Sequence, residues 1–131
     1  MIVLDTHVII WDALAPERLS EPAQTAITRA NQSDGMIICD ISLWEIAMLL
    51  QKGRLRVDTD PLSFMNLLLQ ANKTLVQAIT PQIATLATQL PTEINKDPAD
   101  RLIAATTLAE NSTLVTADRN LQAAELVPTL W

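Results

Sequence analysis

The sequence predicts an α/β fold in which a mainly parallel central sheet is covered by helices on both faces. Three observations predict it. Short apolar runs alternate with segments of helical periodicity along the whole chain, the connections between them are short, and there are only two glycines in 131 residues. At that length, with 49% hydrophobic residues, residues 1–131 are expected to form one domain that buries a core without disulfides.

Ile2-Val3-Leu4 reads as a short buried strand that hands Asp5 to the sheet edge. Val8 to Leu14 and Glu21 to Asn31 are expected helices, the second with Ser20 as N-cap and Pro22 in its first turn. Met36 to Cys39 is short and apolar enough for a second buried strand. From Leu43 to Lys52 the apolar spacing is helical, with Ser42 as the expected N-cap and Gly53 as the C-terminal stop. Leu62 to Asn72 follows as a helix, Thr74 to Ile79 as a strand, and Pro81 to Gln89 as a helix opened by proline. Asp97 caps a helix from Pro98 to Glu110, and Thr113 to Thr116 is a buried strand leading to Asp118. A short helix from Arg119 to Ala124 and a strand around Val127 to Leu130 complete the expected order.

The longest apolar stretch, Ile46 to Leu50, is far too short to span a bilayer, and no signal peptide is visible, so a cytoplasmic protein is expected. The lone Cys39 in an apolar run fits a buried thiol in a reducing compartment. Nine basic against fifteen acidic residues give a net charge of -6, which excludes binding of nucleic acid by a broad basic face. If four acids share a metal site, fifteen less four leaves eleven against nine, and the remaining surface is nearly balanced.

Those four are Asp5, Glu45, Asp100 and Asp118. In a doubly wound sheet, function gathers beyond the carboxyl ends of the strands, and all four fall after strands or in first turns of helices that reach that edge. Each also has an ordinary local explanation. Ser42-Leu43-Trp44-Glu45 has capping-box spacing, and Asp5 and Asp118 are suited to turns after strands. Asp100 is different, because Asp97 already serves as the cap of its helix. Independent capping choices need not place carboxylates at one edge; carboxylates that do meet share protons or recruit hard cations such as Mg²⁺ and Mn²⁺.

Four stretches, taken in order, resemble PIN-domain ribonucleases. They are Leu4-Asp5-Thr6-His7, Ile41 to Ala47 around Glu45, Asp97-Pro98-Ala99-Asp100 continuing to Thr106, and Leu114-Val115-Thr116-Ala117-Asp118. More narrowly, they are similar to VapC-type toxins of bacterial toxin–antitoxin pairs. The resemblance implies a three-layer PIN-like fold and an endoribonuclease that cuts single-stranded RNA to leave a 5′-phosphate and a 3′-hydroxyl. It implies that Asp5, Glu45, Asp100 and Asp118 bind catalytic Mg²⁺ or Mn²⁺, with Thr6 and Thr116 supporting the acids. It further implies a cognate antitoxin, whose apolar helix packs on the toxin with a basic side chain in the acidic pocket, and a homodimer. Where many relatives carry His before the Asp-Pro pair, this chain has Ile94-Asn95-Lys96.

Lys96, Arg101 and Arg119 adjoin the acids as phosphate contacts or as ordinary surface charges, and Lys52-Gly53-Arg54-Leu55-Arg56 fits a helix C-terminus. His7 is expected to be a packed or hydrogen-bonded structural histidine, and most of Trp11, Trp44 and Trp131 are expected in core or interface. An aspartyl-nucleophile phosphatase needs a carboxylate two residues after Asp5, where His7 stands, and a receiver domain needs an acid beside Asp5. The remaining alternative is a noncatalytic PIN-fold protein-interaction module, against which retention of all four acids argues.

Overall fold

The computed structural model describes residues 1–131. Five strands, β1 (Ile2–Leu4), β2 (Met36–Cys39), β3 (Thr74–Gln77), β4 (Thr113–Val115) and β5 (Thr129–Leu130), form one sheet in the order β3-β2-β1-β4-β5. Every pairing is parallel. Seven helices connect them: α1 (Thr6–Leu14), α2 (Glu21–Asn31), α3 (Asp40–Gln51), α4 (Pro61–Ala71), α5 (Pro81–Gln89), α6 (Pro98–Ala109) and α7 (Arg119–Ala123).

The period-two geometry of a strand divides the core in two. Leu4 stands in register with Ile38 and Val115 and packs with Val8 of α1, Ile27 of α2 and Phe64 of α4. One residue earlier, Val3 aligns with Ile37 and Leu114 and faces Ile83 of α5 and Ile103 of α6. Because β1 is covered on both faces and paired on both edges, it reads as an unbroken apolar run rather than an alternating one. Its chain direction fixes where Asp5 emerges, between the ends of β2 and β4.

The expected caps Ser20 and Asp97 each accept a bond from a first-turn amide, and Asp60 and Thr80, not foreseen as caps, do the same for α4 and α5. Three starts differ from expectation. Helix α4 begins at Pro61 rather than Leu62, directly after its Asp60 cap. Helix α1 begins at Thr6 rather than Val8, since Asp5 caps it. Helix α3 begins at Asp40, with extended Cys39 before it and no side-chain cap, so Ser42 is not its N-cap and the capping box with Glu45 does not form. The reason is tertiary: the hydroxyl of buried Ser42 bonds to Thr6 instead. A 3₁₀ turn at Pro16–Arg18 has no counterpart in the sequence reading, and β3 stops at Gln77. Cys39 is buried as expected, and burial pushes its thiol up to about 12.

Both glycines have positive φ, but their surroundings differ. At Gly35, before β2, a Cβ would lie 2.5 Å from the Lys73 carbonyl oxygen; at Gly53, after α3, it would meet nothing within 4 Å. Gly53→Ala is expected to cost about 1 kcal/mol from backbone strain alone, and Gly35→Ala clearly more. Urea unfolding of the two variants checks the ranking, and equal losses would remove the close-approach argument.

Candidate active site

Asp5, Glu45, Asp100 and Asp118 line a single pocket of about 340 Å³ together with Thr6, His7, Trp11, Asp97 and Ala117. Each acid arrives from a different element. Asp5 follows β1, Glu45 sits on α3, Asp100 in the first turn of α6, and Asp118 just before α7.

Asp5 is buried, with 7% of its surface exposed, and each oxygen is engaged. Oδ1 accepts from the Thr6 amide at 2.8 Å, and Oδ2 accepts from Thr116 Oγ1 at 2.7 Å. Thr116 Oγ1 in turn accepts from the Asp118 amide at 3.0 Å, which ties the two acid-bearing loops together. Across the pocket, Thr6 Oγ1 donates to Glu45 Oε1 at 2.5 Å and so accepts from Ser42 Oγ at 2.9 Å. The local roles foreseen for Asp5 and Asp118 are real: Asp118 Oδ1 accepts from the Leu121 amide at 3.0 Å as the cap of α7. Capping and pocket lining coexist in these two residues. Asp97 caps α6 through the Ala99 amide, leaving Asp100 without that task.

Sequence reasoning missed three contributors. Asn95 Nδ2 donates to Asp100 Oδ2 at 3.1 Å and to Asp118 Oδ2 at 3.4 Å, and its Oδ1 accepts from Asn120 Nδ2. This amide holds two like-charged groups side by side. Asp97 lines the pocket as well as capping. Arg101 does not face phosphate: its guanidinium donates to the carbonyls of Ala87, Leu90, Pro91 and Asn95, pinning the segment that carries Asn95. Lys96 and Arg119 are exposed and outside the pocket lining. His7 also departs from expectation, being exposed at the pocket and tilted against Trp11 rather than packed in the core. Trp44, 59% exposed, is likewise not buried.

No lysine or arginine lines this pocket, and three of its carboxyl groups release their protons at higher pH than usual. Asp100 is pushed up to about 7, first by burial and then by the charges of Asp5, Asp97, Asp118 and Glu45. Asp5 is raised by burial against the pull of its Thr116 and Thr6 hydrogen bonds. Glu45 is raised by burial, opposed by its bond from Thr6 and reinforced by Asp97 and Asp5. No three of these groups close to the spacing of a ligand set. Even so, an all-oxygen donor set with uncompensated charge and displaceable protons fits a hard divalent cation.

Fold and site together define an α/β protein of the doubly wound kind, with an acidic pocket at the carboxyl ends of its strands. The chain belongs to the PIN domain family, which matches residues 2–126. It is 38% identical over 121 residues to Ribonuclease VapC22 of Mycobacterium tuberculosis, covering 92% of this chain and 89% of that relative. The fold is similar to VapBC2 from Rickettsia felis bound to a promoter DNA fragment, with TM-score 0.76 and 19% identity over 99% of this chain and 98% of that one. DNA-bound VapBC from Salmonella typhimurium is similar at TM-score 0.73 and 18% identity, over 98% and 96% of the two chains.

A proton bound more tightly by folded than unfolded Asp100 stabilises the fold at low pH, and that contribution is lost as pH rises from 3.8 toward about 7. Metal-free protein is therefore expected to melt at a lower temperature at about pH 8 than at about pH 5, and Asp100→Asn to flatten the dependence. Calorimetry in EDTA measures it; an Asp100→Asn profile as steep as that of the wild type would remove Asp100 as its source.

Proposed function

We propose that this chain is a divalent-metal-dependent endoribonuclease, the toxin of a type II toxin–antitoxin pair, with Asp5, Glu45, Asp100 and Asp118 as its catalytic acids and the holders of Mg²⁺ or Mn²⁺. The observation that carries the reading is the convergence of these carboxylates from four separate elements on one pocket that no lysine or arginine lines. Kinship with a curated ribonuclease over most of both chains supports RNA as the substrate.

Bound divalent ions supply polarisation of the phosphodiester and a water of lowered pKa for in-line displacement. The residues of the chain do the rest. Thr116 and the Thr6 amide fix both oxygens of Asp5, and Thr6 fixes Glu45 across from it. Asn95 bridges Asp100 and Asp118, and the cap bond of α7 restrains rotation of the Asp118 side chain. Four acids positioned before any ligand arrives lose little conformational entropy on binding it.

Similar solved structures are toxin–antitoxin complexes, which supports an antitoxin partner for this chain. Exposed Leu62 and Leu67 on α4, with Leu75 and Val76 on edge strand β3, supply apolar surface for an antitoxin helix and for a homodimer. No helix is long and apolar enough to cross a membrane, and on this reading the protein acts in the cytoplasm.

Purified protein is expected to cleave RNA in Mg²⁺ or Mn²⁺ and to stop in EDTA. Asp5→Asn and Asp100→Asn should each abolish detectable cleavage and relieve growth arrest in cells while leaving a folded protein. Full toxicity in either variant would sink the assignment, and metal-independent cleavage would sink the ion chemistry. Asn95→Ala should weaken Mn²⁺ binding about tenfold by calorimetry, with the fold intact.

A further inference from the structure

The acids form the floor of the pocket, but one of its walls is aromatic. His7 and Trp11 lie one turn apart on α1, so they share a face of that helix, and both line the pocket that Asp5 and Glu45 enter. Trp11 is the one large apolar side chain in that lining. Its ring is held by neighbours outside the pocket lining: the Trp131 ring lies 5.8 Å away at a 55° tilt, and the Arg18 guanidinium sits 4.6 Å over the Trp11 ring. His7 leans on Trp11 with ring centroids 5.9 Å apart, yet remains exposed. None of the hydrogen bonds that order the acids uses a His7 nitrogen.

A cation site alone has no use for a flat apolar wall. Phosphate beside the acids and a planar ring beside the wall are the two halves of one nucleotide, and stacking on an aromatic surface is how single-stranded RNA bases are held. We propose that His7 and Trp11 form a nucleobase subsite, which takes the unpaired base of a nucleotide adjoining the scissile phosphate. The proposal rests on the endoribonuclease reading. Trp11 gives the subsite rigid area, since three neighbours fix its ring, and His7 gives the exposed contact with free nitrogens for the edge of the base. Duplex RNA, whose bases are already stacked, is excluded by the same geometry.

The test measures binding by the full chain in Ca²⁺, using fluorescein-labelled oligoadenylate, the matching abasic oligomer, and oligoadenylate paired with oligouridylate. His7→Ala alters an exposed side chain; Trp11→Leu keeps apolar packing and removes the ring. The wild type is expected to bind oligoadenylate about tenfold more tightly than either other probe, and each variant to lose that preference while matching the wild type on abasic RNA. Equal wild-type affinity for intact and abasic oligomers overturns the subsite and leaves the wall to an arginine-bearing peptide. Variants that keep the preference overturn it too. Cleavage of total RNA in Mn²⁺ is scored separately: base-dependent binding without cleavage ends the nuclease reading alone, whereas cleavage without base preference ends the subsite alone.

Discussion

Five carboxylates share one pocket with no lysine or arginine among the residues that line it, and their mutual repulsion is the constraint that the neighbouring elements answer. Left to themselves, such side chains would rotate apart toward solvent. Here the rotation is blocked by hydrogen bonds: threonine hydroxyls on Asp5 and Glu45, an asparagine amide on Asp100 and Asp118, and helix amides on Asp5, Asp97 and Asp118. The repulsion that these bonds cannot offset shows in Asp100, whose carboxyl is pushed up to about 7 by burial and by its four acidic neighbours.

Restraint of this kind needs its own support. Thr6 and Thr116 are buried, so their hydroxyls cannot exchange partners with water freely, and Ser42 completes the chain of donors behind Thr6. Asn95 lies in the segment between α5 and α6, outside regular secondary structure, and Arg101 supplies what a ladder would have given by donating to four carbonyls around it. The Arg101 guanidinium is spent on backbone, which accounts for how a loop can hold a side chain between two acids. The apolar layers beneath are ordinary by comparison. Val3 and Leu4 anchor opposite halves of the core, and that anchoring sets the position of Asp5.

Much of this was legible in the chain itself. Apolar runs of strand length at 2–4, 36–39 and 113–116 became the three central strands, and the prolines after Thr80 and Asp97 marked helix starts that the structure reproduces. The four acids could be gathered because a parallel sheet sends the residue after each strand to the same edge. What escaped was decided across the chain rather than along it. Ser42 has the identity and spacing of a cap, yet a hydroxyl thirty-six positions earlier claims it. Asn95 and Arg101 carry no local pattern that separates them from surface residues, and the exposure of His7 and Trp44 depends on which side of a helix the sheet leaves uncovered. Asp97 was assigned to capping correctly, but one local role gave no warning of a second.

The hydrogen bond from Thr116 to Asp5 joins residues 111 positions apart, and β1 finds its partner β4 only near the other end of the sequence. A nascent chain emerging from the ribosome therefore displays the first acid long before the hydroxyl that orients it, or the fourth acid, has been synthesised. Assembly of the pocket therefore waits on a contact between distant stretches of chain, and no shorter segment that ends before β4 can orient Asp5 in this way.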